Sequence, residues 1–555
     1  MKLKNYAEGR WVEHKGYGFE QYNAITGDLI STASSEGLDY EAMTDYARRI
    51  GGKALRSMTF YERGFMLKKL ALHLDSLKKK YYQISYLSGA TKSDSWVDID
   101  GGIGTLFTYA SLRRQLGNQR FYVDGDTAKI SKNNTFVGQH IMSPKQGVVV
   151  HINAFNFPIW GMLEKLSANL IAGVPAIVKP SEITSYLTQA MVEDIIASGI
   201  VPEGAIQLDC GKGHGILDTL GSQDLVTFTG SATTGRMLKS LPHIIENSIP
   251  FNMEADSLNA AILGEDSAPG TANFDIFIKE VRREMTTKAG QKCTAIRRIM
   301  VPENYLEDVQ IALGKSLAQT TIGDPANEKV RMGAIVNKSQ VDVVRNRVLE
   351  MSQKTPIVFG DLDKFEVIGA DANKGFFLPP ILMLNENPLI NTDSHDIECF
   401  GPVSTLMPYN GIEEAITLAK MGKGSLVSTI ATSDVHIATE YAIEAASYHG
   451  RILILNEASA PESTGHGSPM PQLMHGGPGR AGGGEELGGI GSVKHYLQRT
   501  ALQGHPSMLT EITQRYQYGG VYKEKDVHVF RKHFEELEIG ETVITAKHTV
   551  TETDI

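Results

Sequence analysis

Three cysteines in 555 residues, Cys210, Cys293 and Cys399, stand far apart and in none of the paired spacings that bind zinc. That excludes a disulfide framework and a Cys-based metal cluster, and leaves each sulfur as a buried thiol or a nucleophile. Positive charge is also short: 54 Lys and Arg face 64 Asp and Glu, a net charge of -10. Broad binding to nucleic acid or to an anionic membrane needs a clustered positive field, which this balance does not supply. Nowhere do about 18 apolar residues run together, and the basic start Met1-Lys2-Leu3-Lys4 has no apolar stretch after it. A cytoplasmic protein is the reading. What is present is length, enough for two or three domains, and 55 glycines, which fit many tight turns between elements.

From about Gln146 the chain alternates regularly. The apolar, β-branched run Gly147–Ile152 predicts a strand, and Ile159–Ala172, closed by Gly173, predicts a helix. Ala176–Pro180 with Leu187–Ser198 repeats the unit, as do Ala205–Leu208 with a helix near Leu217, and Leu225–Thr229 with a helix after Thr233. Strand-helix repeats of this length make a parallel, doubly wound sheet. A second series follows Glu254: Ala260–Leu263, a helix over Phe274–Lys288, strands at Ile296–Val301, Leu426–Ala431 and Arg451–Leu455, and a helix over Val435–Ala446. The fold class is therefore α/β with two such domains. Residues 119 to 145 lack helical periodicity and predict a projecting hairpin, and the glycine-rich Gly476–Gly491 predicts a loop. Phe534–Thr545 begins a new unit that is too short to bury a core before Ile555.

Five segments, in order, resemble the aldehyde dehydrogenase superfamily over residues 1 to 505: Asn153-Ala154-Phe155-Asn156-Phe157-Pro158, Val178-Lys179-Pro180-Ser181-Glu182, Phe228-Thr229-Gly230-Ser231 with Gly235, Gln291-Lys292-Cys293, and Glu398-Cys399-Phe400-Gly401-Pro402-Val403. The resemblance implies two doubly wound α/β domains with an oligomerisation arm, NAD or NADP as cofactor, no metal, and oxidation of an aldehyde through a cysteine thioester. It assigns Cys293 as nucleophile, Asn156 with the Cys293 backbone N–H to the oxyanion, and Glu254 as general base. Lys179 and Glu182 fall to the adenosine ribose, Gly230, Ser231 and Gly235 to the pyrophosphate turn, Glu398 to the nicotinamide ribose and Phe400 to its ring. Lys179 favours an added 2′-phosphate and Glu182 a free 2′-hydroxyl, so NAD against NADP stays open. Lys292 stands next to the nucleophile, facing it or pointing away. One departure is local: relatives have Gly-Gly after the glutamate, and here Ala255-Asp256-Ser257 follow.

The surroundings of Glu254 and Cys293, and His475–Gly489, are similar to the bifunctional proteins of phenylacetate degradation that join this dehydrogenase to a hot-dog (MaoC-like) hydratase domain. That likeness implies a cofactor-binding domain at 1–253 with its hairpin at 119–145, and a catalytic domain at 254–474. It further implies a return segment and oligomerisation strand at 475–515, and a linker with the start of the hot-dog domain at 516–555. The substrate it implies is 3-oxo-5,6-dehydrosuberyl-CoA semialdehyde; the alternatives are the dehydroadipyl-CoA semialdehyde dehydrogenases of benzoate degradation, a thioester hydrolase or lyase, and a non-catalytic oligomeric scaffold. The expected partners are a CoA-linked aldehyde and a second copy of the chain, with neither nucleic acid nor membrane. Arg63, Lys68 and Lys69, or Lys78-Lys79-Lys80, are the candidate landing site for the CoA phosphates.

Overall fold

A computed structural model describes residues 1–483 and 488–521. Its two large sheets each have seven strands. The first runs in the order Phe251–Glu254, Leu225–Thr229, Val149–Ile152, Ala176–Lys179, Ile206–Leu208, Lys4–Ala7, Arg10–Glu13. The first five are parallel, whereas the two N-terminal strands add an antiparallel edge that their polar, weakly patterned sequences do not announce. Along these strands alternate side chains enter two different cores. Val149, Ala176 and Val178 face the helices Phe60–Ser85, Pro158–Ala172 and Ser185–Ala197, while Val148, Val150, Ile177 and Val226 face Met43, Ile216, Leu217 and Ile244. A strand buried on both faces needs a continuous apolar run, which is why these segments were legible.

The second sheet has the order Ile357–Phe359, Ile381–Leu384, Val403–Tyr409, Ile296–Pro302, Asn259–Leu263, Ser425–Ala431, His449–Leu455. Only its first pair is antiparallel. Here too Ala261, Leu263, Ile299 and Val301 fill one core and Ala260, Ile262 and Met300 the other. The 119 to 145 segment forms the strands Tyr122–Lys129 and Val137–Pro144, and the distant strand Leu497–Gly504 pairs along the whole of the latter. Asp124 fastens this arm, accepting from Lys494 Nζ at 2.6 Å and Arg499 Nε at 3.0 Å.

Several expectations need correction. The helix expected to reach Lys288 ends at Thr286, because Lys288 and Ala289 adopt left-handed backbone (φ 54° and 50°). The helix after Thr233 begins earlier, at Ala232, capped by Ser231. Gly476–Gly491 is not all loop: Gly479–Ala481 form a 3₁₀ turn and a helix starts at Gly489. The boundary expected between 253 and 254 falls inside a strand of the first sheet, with Glu254 as its last residue, paired to Thr229. Arg63 is fully buried and cannot meet a phosphate at the surface; Lys78 is bound to Asp75 and Asp100, and Lys80 to Asp194. The hot-dog start at Phe534–Thr545 lies outside the described residues. Among the described residues no helix is long and apolar enough to cross a membrane.

Candidate active site

Glu254 ends one strand, Asn156 follows another, and both lie at the carboxyl edge of the first sheet, where open α/β sheets leave a crevice. Cys293 reaches the same place from the second sheet, on the turn before Ile296–Pro302. Two cavities meet there. One of about 920 Å³ runs over the first sheet, and one of about 80 Å³ lies behind it. Asn156, Glu254 and Cys293 line both, so the sulfur stands at the seam between a large cleft and a small pocket.

The turn that carries Cys293 is held by close packing. Gly290 has φ +69°, and a Cβ on it would lie 2.1 Å from the Gly401 carbonyl oxygen, so only glycine lets the two segments touch. Arg297 spans them, donating to Gly401 O (2.6 Å), Gly290 O (2.7 Å) and Lys292 O (3.2 Å). Asn259 Nδ2 donates to the Cys293 carbonyl at 2.8 Å. Lys292 points away from the thiol, into a buried ion pair with Glu284 at 2.6 Å. Burial pushes the Glu284 carboxyl up, but the charges of Lys292, His466 and Arg283 outweigh it and hold the group below its ordinary value.

Cys293 is the one thiol of the three that is not buried. Burial of its sulfur pushes its pKa well up, and the adjacent Glu254 carboxylate, which accepts the thiol hydrogen bond, pushes it further. Labelling of Cys293 by iodoacetamide is therefore expected to climb with pH beyond the ordinary thiol range. Glu254→Gln removes the neighbouring negative charge, favours thiolate and should move that profile toward lower pH. An unmoved profile would show that the carboxylate is not what keeps the thiol protonated. Two donors beside the sulfur have no acceptor among the described residues: the Asn156 side-chain amide and the Cys293 backbone N–H.

Lys179, Glu182, Gly230, Ser231, Glu398 and Phe400 all line the long cleft; Gly235 does not. A Cβ at Gly235 would lie 2.8 Å from Met253 and 2.9 Å from Phe228, so this glycine seats the helix on the sheet instead. Lys179 and Glu182 bind each other at 3.3 Å. Asp256 accepts from the Ala232 N–H at 2.7 Å, at the start of the helix Ala232–Lys239. Glu398 is buried with Oε1 lacking a hydrogen-bond partner, and burial lifts its pKa to about 7 despite Arg297 at 3.8 Å. A cleft this long, with a Lys–Glu pair at one end and an orphaned carboxyl oxygen at the other, fits a dinucleotide.

Residues that the motifs passed over complete the small pocket. Glu164, Lys165 and Trp160 come from the helix Pro158–Ala172, and Arg451 and His475 from the second sheet and the return segment. Burial and the Glu254 charge raise the Glu164 pKa to about 7, and Lys165 Nζ donates to Thr229 Oγ1 at 2.7 Å. On the helix, burial on every side was the available signal for Glu164 and Lys165: two charged residues inside an apolar run.

Comparison with known proteins bears on the same region. The aldehyde dehydrogenase family profile matches residues 11–501. A 3,4-dehydroadipyl-CoA semialdehyde dehydrogenase of Aromatoleum evansii is 40% identical over 479 residues, covering 86% of this chain and 93% of that protein. Protein MaoC of Klebsiella aerogenes is 49% identical over 225 residues, 40% of this chain and 65% of that protein, so the chain spans just under two thirds of it. The NAD+ complex of an aldehyde dehydrogenase from Bacillus cereus superposes with a TM-score of 0.78 at 22% identity, covering 91% of this chain and 97% of that one. Lactaldehyde dehydrogenase of Escherichia coli gives 0.78 at 21% identity, covering 90% and 99%. At such identities the structures speak for the fold alone.

Proposed function

Because the chain belongs to the aldehyde dehydrogenase family, we propose that it oxidises an aldehyde carried on a CoA thioester to the carboxylic acid, through a thioester on Cys293, with NAD or NADP. The observation that carries this is the convergence of Cys293, Glu254 and Asn156 on the wall shared by the two cavities.

Glu254 takes the thiol proton, and Sγ adds to the aldehyde carbon. The oxyanion that forms is held by the Asn156 amide and the Cys293 N–H, donors already fixed and without other acceptors. Lys179, Glu182, Ser231 and Glu398 would hold the dinucleotide, which when bound supplies the acceptor for the hydrogen and electron pair lost by the aldehyde carbon. Collapse of the oxyanion leaves an acyl group on Sγ. Glu254, having released its first proton to solvent, takes one from water; the water oxygen bonds to the acyl carbon, the C–S bond breaks, the departing sulfur takes back the proton now on Glu254, and the acid leaves.

The substrate we favour is 3-oxo-5,6-dehydrosuberyl-CoA semialdehyde. Motif likeness around Glu254, Cys293 and Gly476–Gly489, and the identity with Protein MaoC, support it. The 40% identity with the Aromatoleum enzyme supports a second reading, 3,4-dehydroadipyl-CoA semialdehyde. We also propose a homo-oligomer built on the Tyr122–Lys129, Val137–Pro144 and Leu497–Gly504 arm. With Glu254→Gln, aldehyde and NAD or NADP, steady turnover is expected to fall roughly 100-fold or more, and intact-mass measurement should find the acyl adduct on the protein. Near-normal turnover with no adduct would remove Glu254 from deacylation.

A further inference from the structure

The small cavity has a polar corner that the steps above leave unused. Arg451 rises from the His449–Leu455 strand into the pocket that holds Cys293. Its Nη2 donates to the His466 carbonyl at 2.9 Å, and among the described residues no carboxylate is paired with it. That carbonyl is itself fixed: the His466 N–H donates to Glu280 Oε1 at 2.7 Å, and the His466 ring meets Thr429 Oγ1 at 2.7 Å. Arg451 is thus held by one arm while its other N–H groups have no acceptor in the described protein. His475 lines the same pocket, and its ring makes no hydrogen bond among the described residues.

We propose that Arg451 and His475 form a hydrogen-bonding subsite for a second, uncharged carbonyl oxygen of the aldehyde substrate. The inference rests on the dehydrogenase reading and names a substrate class for it: aldehydes with a keto or thioester carbonyl further along the chain. A half-buried guanidinium with no carboxylate among the described residues is costly to desolvate unless something accepts its hydrogens. A single backbone carbonyl takes one of five. Burial, then the Arg451 charge, lowers the His475 pKa to about 4, so at neutral pH the ring is uncharged and offers one N–H. Glu164 and Glu254 line the same pocket opposite two cations, Lys165 and Arg451, so its charges already offset one another and a neutral oxygen is better placed than another anion. A strand-borne arginine, anchored behind, is rigid enough to discriminate.

The test compares kcat/KM for pentanal, its keto analogue levulinaldehyde, and succinic semialdehyde. In Arg451→Ala the value for levulinaldehyde is expected to fall roughly 10- to 100-fold, and that for pentanal by far less, because a charged donor is lost from one substrate only. His475→Phe should act in the same direction, by roughly 3- to 10-fold, and Arg451→Lys should lie between; these two variants decide the matter if Arg451→Ala does not fold. Equal losses for pentanal and levulinaldehyde overturn the subsite, and so does a loss confined to succinic semialdehyde, which would make it an anion site. If the unaltered protein reduces nicotinamide with none of the three, the dehydrogenase reading itself falls, a result distinct from any of these.

Discussion

Cys293→Ala is expected to lower aldehyde oxidation by on the order of 10⁴-fold or more, because the covalent intermediate loses its only sulfur and the remaining oxyanion donors have nothing to stabilise. No other thiol can take over. Cys210 and Cys399 are buried; Cys210 packs in the first core behind the sheet, and Cys399 lies against Met351 with its sulfur 3.6 Å from the thioether. Burial pushes both of their pKa values up, that of Cys399 to about 12, which keeps them as inert thiols. The substitution removes one atom at a cavity wall, so thermal unfolding should move little, and the long cleft, most of whose lining is untouched, should still bind dinucleotide. The readouts are absorbance of reduced nicotinamide, dinucleotide binding and iodoacetamide labelling, which should vanish from the native protein. Turnover within ten-fold of normal in a folded Cys293→Ala protein would end the thioester mechanism. Retained labelling would show that a second sulfur is the reactive one.

The second large effect is on stability. Glu284→Ala is expected to cost about 3–5 kcal/mol, since it leaves the Lys292 ammonium buried without its carboxylate. Both side chains are almost sealed from solvent, at 3% and 6% exposure, so no screening discount applies. Glu284 has a further, weaker neighbour in Arg283 at 3.6 Å, and Lys292→Met should therefore cost less than the reverse deletion. Replacing both by Met should recover much of the loss, because a buried ion pair repays little more than its own desolvation. Denaturant unfolding of the two single variants and the double closes the cycle. If the singles cost no more than the double, the pair is not the fastening it is taken to be. Activity should follow, because Lys292 precedes Cys293 and a Cβ on Gly467 of the pocket wall would lie 2.2 Å from its Nζ.

Much of this architecture was readable in the chain, for a reason that shows at particular residues. A strand buried on both faces, such as Val149–Ile152 or Ala176–Lys179, is apolar but for one residue, His151 and Lys179 respectively, and composition alone reveals it. Lys4–Ala7 and Arg10–Glu13 lie at a sheet edge, take polar residues, and join by long-range pairing such as Tyr6 with Leu208, which no local pattern encodes. Gly235 carried the motif of a phosphate turn, yet its work is to clear Met253 and Phe228. Asp256, a departure from the family pattern, caps the helix at Ala232.

Sequence by itself determined the class of fold, the order of the strand-helix units and the identity of the one thiol worth pursuing, because these depend on local periodicity and on residue type. Only tertiary structure decided that Lys292 turns toward Glu284 rather than toward the sulfur, that Arg63 is interior, and that Arg451 and His475 face the cavity of Cys293. Those outcomes follow from burial and from which charged groups the packing brings together, and they exist only once the two sheets have packed.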